Sequence, residues 1–269
     1  MNLKDDFEDK KKELEAYFDF LKFLDSPRSN TQIQELESNK VFSMNNELYK
    51  VMKANCYLML YNLIEGTIVE GLNTIFIEIS SKKPFRNELI ELYQKICIDY
   101  NIKVIDRLKD QEKLNPFEPY AQDDAIRNID VFEIKGFKKK SIDKNSKTES
   151  LIGYDAYLEV IGSKDISGNL DVAKIRILLP KYGIITKDKG LIVYIDENEE
   201  TIRLDTEHIR SVKQYRNELA HGSLQYSKVG ERVSYSEINE IKRHVFTYLE
   251  EIVDKIELFL TKEEFKKNN

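Results

Sequence analysis

The residues best suited to chemistry lie in one stretch near the end of a predicted helix. Arg216 and Asn217 precede His221 by about one helical turn, and Gly222, a residue that commonly ends helices, follows. Arginine can hold a phosphate through paired hydrogen bonds, and histidine exchanges protons near neutral pH. This combination suits RNA cleavage, in which a base takes the 2′-hydroxyl proton, an acid protonates the leaving 5′-oxygen and a cation stabilises the phosphoryl oxygens.

The predicted helix, which begins at Asp205-Thr206 and runs through His221, sets the directions of these side chains. Asn217 and His221 are four residues apart and share a face, whereas Arg216 and His221 are about 140° apart on an ideal helix. The apolar stripe of this helix consists of Ile209, Val212, Tyr215, Leu219 and Ala220. Arg216 falls within that stripe, so its guanidinium needs a partner. One phosphate can contact both Arg216 and His221 only because arginine is long and the helix ends at Gly222.

The expected partner of Arg216 is Glu65, which lies in the longest apolar-periodic segment, residues 45–80. One stripe of that predicted helix consists of Leu48, Val51, Leu58, Val69, Leu72 and Phe76, together with the polar residues Asn55, Asn62 and Glu65. Glu65 lies about 40° from the centre of the stripe, where a carboxylate is either paired or at the mouth of a cleft. An exposed position at the rim of the stripe is an equal alternative for Glu65.

A single histidine cannot conveniently lie on both sides of a reacting phosphorus. Two copies of the chain that face each other across a two-fold axis would supply two histidines, so we expect a homodimeric site. By itself, the Arg-x4-His spacing arises by chance in many helices. The alternative interpretation is an arginine in a core ion pair beside a histidine that ends a helix.

The elements around this helix are predicted to be mostly helical. Apolar residues recur at three- and four-residue spacing in four segments, residues 4–24, 45–80, 85–110 and 236–264. Ser167 or Asn169 is expected to cap a short helix before Pro180, and Ser234 and Glu237 have the spacing of a capping box. Two apolar runs flank an acidic turn within residues 184–204, which predicts a small β-hairpin. The predicted fold class is therefore all-α, with one small β excursion.

We expect a single domain over residues 1–269, with a helical core at about 45–110 and 167–262. Residues 113–165 form an insertion that the pattern does not assign to an element. The insertion contains a lysine-rich run, residues 135–140. That run is either a basic loop that contacts phosphates or, as the more ordinary interpretation, a solvated loop.

The charge balance restricts how the chain can bind RNA. The net charge is −6 over 269 residues, so the chain is not a globally basic nucleic-acid binder. Any contact with RNA must come from a local patch and would weaken with salt. Arg210, Lys213 and Lys228 are the candidates for that patch, although an ordinary solvated charge is the simpler interpretation of each.

Neither the cysteines nor the histidines have the spacing of a metal site. Cys56 and Cys97 lie in apolar helical patterns and are interpreted as buried free thiols. No spacing among His208, His221 and His244 predicts a zinc site, so we expect no metal and no cofactor. The N-terminus lacks a signal-peptide pattern and the apolar runs are too short to span a bilayer, so we expect a cytoplasmic protein without membrane contact.

At these residues the sequence resembles the HEPN superfamily, whose members are helical domains with an Arg-x4–6-His motif and usually a polar residue after the arginine. The segment Arg216-Asn217-x3-His221 matches that motif in its extended form, Arg-Asn-Glu-Leu-Ala-His-Gly. Residues 61–65, residues 167–183 and the long C-terminal helix are similar to the MAE_28990/MAE_18760-like HEPN branch. The similarity is loose over residues 45–110 and closer over 167–262.

The resemblance implies a homodimeric, metal-independent endoribonuclease that acts as a toxin or an anti-phage defence effector. Its expected partners are RNA, a second copy and a restraining protein such as an antitoxin. The resemblance carries catalytic roles to Arg216, Asn217 and His221, while Glu65 and Asn62 are expected to support them. Two alternatives stand beside it: a non-catalytic helical dimer that binds RNA or a partner protein, and a purely structural pairing of Arg216 with Glu65.

Overall fold

A computed structural model shows a predominantly helical chain. The structure describes residues 3–25, 32–34, 41–82, 84, 88–94, 96, 170–185, 193–195, 201–203 and 206–267. The predicted insertion at 113–165 with its lysine-rich run, Cys97, and most of the predicted helix 85–110 lie outside the described residues.

Helices form most of the described chain, as the sequence predicted. Helices α1 to α6 span Leu3–Leu24, Asn46–Lys82, Val172–Leu178, Thr206–Ala220, Tyr226–Glu231 and Tyr235–Thr261, and a 3-10 helix, Leu179–Tyr182, follows α3. Antiparallel pairs are formed by β1 (Gln32–Gln34) with β2 (Val41–Ser43), and by β3 (Val193–Ile195) with β4 (Thr201–Arg203). The second pair confirms the predicted hairpin, whereas the first was not predicted. Among the helices described, none is both long and apolar enough to cross a membrane.

The predicted start of the last helix is confirmed by its hydrogen bonds. The Oγ atom of Ser234 accepts the backbone N–H of Glu237 at 3.1 Å, and the Ser234 N–H donates to the Glu237 carboxylate at 2.7 Å. These hydrogen bonds from Ser234 lower the pKa of Glu237. The reciprocal pair satisfies two N–H groups at the start of α6 and fixes where the helix begins.

The chain divides into two compact units, and the first comprises Met1–Ile68, Gly168–Ile177 and Thr186–Asp254. Within it α2 is buried over most of its circumference, with core residues Ala54, Cys56, Tyr57, Leu60, Tyr61, Leu63 and Ile64. The sequence predicted one buried apolar stripe on this helix. In this unit that prediction is wrong, because three residues of the stripe, Leu48, Val51 and Leu58, are partly exposed. A helix that is packed on several sides buries a broader surface than a single stripe.

Helix α2 is in close contact with α5 and with the segment that joins α5 to α6. A side chain at Gly230 in α5 would overlap the backbone carbonyl of Lys50, so only glycine allows this approach. The Lys53 ammonium donates to the carbonyl oxygen of Val233, three residues beyond Gly230. These contacts fix α2, which supplies one side of the site described below.

The second unit comprises Val69–Ser167, Leu178–Ile185 and Lys255–Asn269. Its described core combines aliphatic residues such as Leu72 and Ile256 with a group of five aromatic residues, Phe76, Tyr93, Tyr182, Phe259 and Phe265. The Tyr93 hydroxyl donates to the carbonyl oxygen of Tyr182 at 2.8 Å, and burial raises the pKa of Tyr93. The polar atom of this ring is therefore satisfied inside an apolar core. That residues 1–269 form a single domain stays a prediction.

Candidate active site

Helix α4 ends in the way that its sequence predicted. The N–H of Ser223 donates to the carbonyl of Glu218 at 3.0 Å, and the N–H of Gly222 donates to the carbonyl of Leu219 at 3.2 Å. Gly222 has φ +68°, a left-handed conformation that favours glycine, and nothing lies within 4 Å of the place a side chain would take. This is a Schellman motif, with His221 as the C-cap residue. The His221 side chain is exposed where the helix stops.

The guanidinium of Arg216 is held by two different groups. Its Nη1 atom donates to Oδ1 of the adjacent Asn217 at 2.9 Å, and its Cζ atom lies 4.4 Å from the centroid of the Tyr61 ring. A guanidinium over an aromatic face is stabilised by about 0.5–2 kcal/mol, and more when water is excluded. Arg216 is partly buried, so the ring replaces part of its hydration. One residue of α4 and one of α2 thus fix its direction.

Tyr61 is fully buried, and its hydroxyl accepts the N–H of Leu170 at 3.1 Å. Burial raises the pKa of Tyr61; the Glu65 charge adds to that rise, while the Leu170 N–H and the Arg216 charge oppose it. Tyr61 therefore stays neutral at physiological pH and presents an uncharged ring face to the guanidinium. The Arg216 guanidinium lies over this ring, and Glu65 follows Tyr61 by about one turn on the same face of α2.

The two residues predicted to support the catalytic residues differ in exposure. Glu65 is partly buried one helical turn beyond Tyr61, whereas Asn62 is exposed. Their supporting roles stay predictions. Tyr61 was not among the residues with a predicted role, although it lies four residues before Glu65 and both are therefore on one face of α2.

The predicted apolar stripe of α4 is buried at three positions, Ile209, Val212 and Leu219. Tyr215 is partly buried and packs on Tyr57, with ring centroids 4.6 Å apart. Ala220 is exposed, so its assignment to the buried stripe was wrong. Ala220 is the last residue of α4, where the chain turns through Gly222 away from the helix axis, and packing of the stripe ends one residue earlier.

Asp171 joins the start of α3 to α4. Its Oδ1 atom accepts the N–H of Lys174 at 2.8 Å, and its Oδ2 atom forms a salt bridge of 2.7 Å with Lys213. Burial alone would raise the pKa of Asp171, but the hydrogen bonds from Lys213 and Lys174 together lower it. Asp171 is therefore the N-cap of α3, and the predicted caps Ser167 and Asn169 lie outside the described residues.

The three predicted RNA-binding cations have different surroundings. Lys213 is three-quarters buried in its ion pair with Asp171, so RNA would have to compete with that carboxylate. Lys228 is exposed and pairs with Glu231 at 3.2 Å, and Arg210 is exposed. That these residues contact RNA stays a prediction.

Packing brings together a second polar cluster that the spacing of the histidines did not predict. His208 of α4 lies against His244 of α6, with ring centroids 4.7 Å apart, and Glu240 of α6 lies beside them. His221 does not belong to this group. Residues 208, 240 and 244 are called the histidine cluster below.

Comparison with known proteins gives one match. A family profile described as HEPN_MAE_28990-like HEPN matches residues 1–265, a span that includes Arg216, Asn217, His221, Tyr61 and Glu65. No curated protein and no solved structure matches the chain. The family match agrees with the helical fold and with the resemblance found at the Arg-x4-His segment. The chain belongs to the HEPN_MAE_28990-like HEPN family.

Proposed function

We propose that this chain is an endoribonuclease that cleaves RNA by attack of the ribose 2′-hydroxyl, with no metal ion in the chemical step. The observation that carries the proposal is the end of α4. There a guanidinium is fixed by Asn217 and Tyr61, and an exposed imidazole follows at the helix terminus. Membership of the HEPN family supports a ribonuclease-type function. Arg216, Asn217 and His221 form the proposed catalytic set.

The proposed reaction is a transesterification at phosphorus. The 2′-oxygen forms a bond to phosphorus while the bond from phosphorus to the 5′-oxygen breaks. One histidine accepts the proton of the 2′-hydroxyl, and a second, protonated histidine donates a proton to the leaving 5′-oxygen. The products are a 2′,3′-cyclic phosphate and a free 5′-hydroxyl, so no water is consumed in this step.

Arg216 supplies the positive charge for the phosphoryl oxygens, whose negative charge grows in the transition state. A guanidinium offers several N–H donors in one plane, a geometry that matches two oxygens of a phosphate. Asn217 acts through Arg216, because its side-chain oxygen holds one N–H of the fork. A guanidinium already held in direction loses less freedom when a phosphate binds.

Two histidines are required on opposite sides of phosphorus, and we propose that the second is His221 of another copy. Its exposure at a helix end would allow the imidazole to approach a two-fold axis. The test mixes wild-type chains with His221→Ala chains and allows subunits to exchange. With equal amounts, paired sites predict about one quarter of the wild-type activity, and independent sites predict about one half. A mass measurement by light scattering checks that dimers are present.

The biological role that we propose is that of a toxin or anti-phage defence effector, held in check by a partner protein. An unrestrained ribonuclease damages its own cell, so a restraining partner follows from the activity. Induced expression of the wild type should arrest growth, and His221→Ala should not. Equal arrest by both forms, at equal expression, would contradict this role.

The activity itself is tested by incubating mixed-sequence RNA with wild-type protein or His221→Ala in the presence of a chelator. We expect wild type to cleave and to leave 2′,3′-cyclic phosphate ends, and we expect His221→Ala to leave the RNA intact. Loss of wild-type cleavage on chelation, at a temperature where circular dichroism shows that the chelated protein is folded, would contradict the proposed chemistry. RNA that is retarded on a gel but stays intact with wild type would instead indicate a non-catalytic binding module.

A further inference from the structure

The histidine cluster brings together three side chains of the kind that bind transition metals. His208 comes from the first half of α4, and Glu240 and His244 lie one turn apart on α6, all within the first unit. One ligand atom from each residue lies within 4.8 Å of the other two. The His244 Nε2 atom is 3.9 Å from the Glu240 carboxylate. Two helices distant in sequence therefore present nitrogen and oxygen donors at one point.

The distances between the three ligand atoms are close to those around a bound metal ion. Tetrahedral zinc holds nitrogen and oxygen ligands at about 2.0–2.2 Å, which places ligand atoms roughly 3.4 Å from one another. The three donors thus need to approach by about 1.4 Å at most, a movement that side-chain rotation can supply. Two imidazoles and one carboxylate form a donor set that zinc accepts, and three protein ligands leave a fourth position for water.

The surroundings of the histidine cluster favour the binding of a metal ion. His244 is 6% exposed, and the Nδ1 atom of His208 is buried without a hydrogen-bond partner among the described residues. A buried polar nitrogen without a partner costs free energy, and a metal ion bound at that nitrogen would remove the cost. Glu240 is more than half exposed, which gives an ion a way in.

We propose that His208, Glu240 and His244 bind one divalent transition-metal ion of the zinc type. The ion joins the first half of α4 to α6 and so holds the helix that carries the catalytic set. His208 and Arg216 are eight residues apart, or about 12 Å along the helix axis, so the ion does not touch a phosphate held by Arg216. The site is structural, and the proposed RNA chemistry needs no step through it.

The proposal is tested on full-length protein from which any affinity tag has been removed and metal has been stripped. Titration with Co²⁺ should give the visible absorption bands of a tetrahedral site, saturating at one ion per chain, and Zn²⁺ should displace them. Adding Zn²⁺ should also raise the Tm by several degrees, since an ion that binds only the folded state stabilises it. Neither measurement depends on RNA cleavage, so this proposal can fail while the ribonuclease proposal stands.

Variants at His208 and Glu240 test whether Zn²⁺ binds at the histidine cluster. His208→Gln and Glu240→Gln should each weaken Zn²⁺ binding by at least about tenfold and remove most of the Tm rise. The matched controls are His221→Gln and Glu251→Gln, which exchange a histidine and a glutamate of the same two helical regions and should bind like wild type. Absence of Co²⁺ bands in wild type would overturn the proposal. Binding that is unchanged in both His208→Gln and Glu240→Gln would also overturn it, because the ion would then lie elsewhere.

Discussion

The two polar clusters on α4 differ in how the chain assembles them. The proposed catalytic set comes from six consecutive positions at one helix terminus, and the Tyr61 ring of α2 packs against its arginine. The histidine cluster joins His208 to residues 32 and 36 positions later, and these meet only because α4 packs on α6. Functional residues that are neighbours in sequence can be recognised from the sequence alone, whereas residues that only the packing of helices brings together cannot. The proposed roles of the two clusters differ as well, with chemistry at the first and stability at the second.

The largest expected effect is that of His221→Ala on RNA cleavage. Removing a general acid–base group should lower the cleavage rate by about 10²–10⁴-fold. The side chain is exposed, so the Tm should change little. His208→Gln is the variant to compare with it. This change should lower the Tm measured with Zn²⁺ present. Its cleavage rate should stay within about twofold of wild type at temperatures where the protein is folded. Equal loss of cleavage in both variants would show that the two clusters do not have separate roles.

Arg216 should show the next largest effect. Arg216→Ala removes the charge that we propose faces the phosphoryl oxygens, and it should lower kcat by about 10²–10³-fold. Arg216→Lys should recover little of this, since an ammonium lacks the planar fork that contacts Asn217 and the Tyr61 ring. Circular dichroism and a thermal melt show whether each variant is folded. If Arg216→Ala unfolds the protein and Arg216→Lys is fully active, the arginine is structural.

Tyr61 should have a smaller effect that separates positioning from stability. Tyr61→Leu removes the ring face under Arg216 and should lower cleavage by roughly tenfold through a less well oriented guanidinium. Tyr61→Phe keeps the ring but leaves the Leu170 N–H without its acceptor, which should cost about 1 kcal/mol of the free energy of unfolding. Its kcat should stay within about twofold of wild type. A similar kcat for both variants would show that the ring does not position Arg216.

The sequence was sufficient to predict the parts of the fold that depend on neighbouring residues. The last helix starts at its predicted capping box, Ser234 and Glu237, and α4 ends at the predicted glycine, Gly222. Both features are made of hydrogen bonds between residues a few positions apart, so local pattern contains them. The hairpin at 193–203 was found for the same reason, because its strands are close in sequence.

Features that depend on packing were missed. The apolar stripe of α2 did not predict that this helix is buried on several sides. The spacing of apolar residues shows only where polar residues are tolerated. The contact of Tyr61 with Arg216 joins positions 155 residues apart, and that of Asp171 with Lys213 joins positions 42 apart. One sequence contains no signal for such pairs, since many tyrosines and carboxylates have the same local context.

The smallest expected effect is that of the ion pair between Asp171 and Lys213. Asp171→Asn keeps a capping side chain but removes the charge, and it should cost about 1 kcal/mol of the free energy of unfolding at pH 7. The pKa of Asp171 is lower when folded than unfolded, so the pair stabilises the fold above pH 4 or so, where an unfolded aspartate ionises. That contribution is lost as the pH falls through the folded pKa.

Urea unfolding of wild type and Asp171→Asn at several pH values measures this difference. The difference in free energy should be largest near neutral pH and should shrink in acid below about pH 4. Asp9→Asn is the control, because its pair with Lys12 is exposed and should leave the free energy of unfolding unchanged within error. A difference for Asp171→Asn that stays constant with pH would show that the charge of Asp171 is not the cause.

A modified substrate shows whether the end of α4 directs the 2′-hydroxyl of RNA against its own phosphate. Cleavage of a mixed RNA is mapped first, and one cleaved sequence is then made with a single 2′-deoxynucleotide on the 5′ side of the scissile phosphate. We expect wild type to cleave the all-ribose strand and to leave the substituted position intact, while neighbouring sites are still cleaved. Cleavage at the substituted position at an unchanged rate would show that the 2′-hydroxyl is not the attacking group.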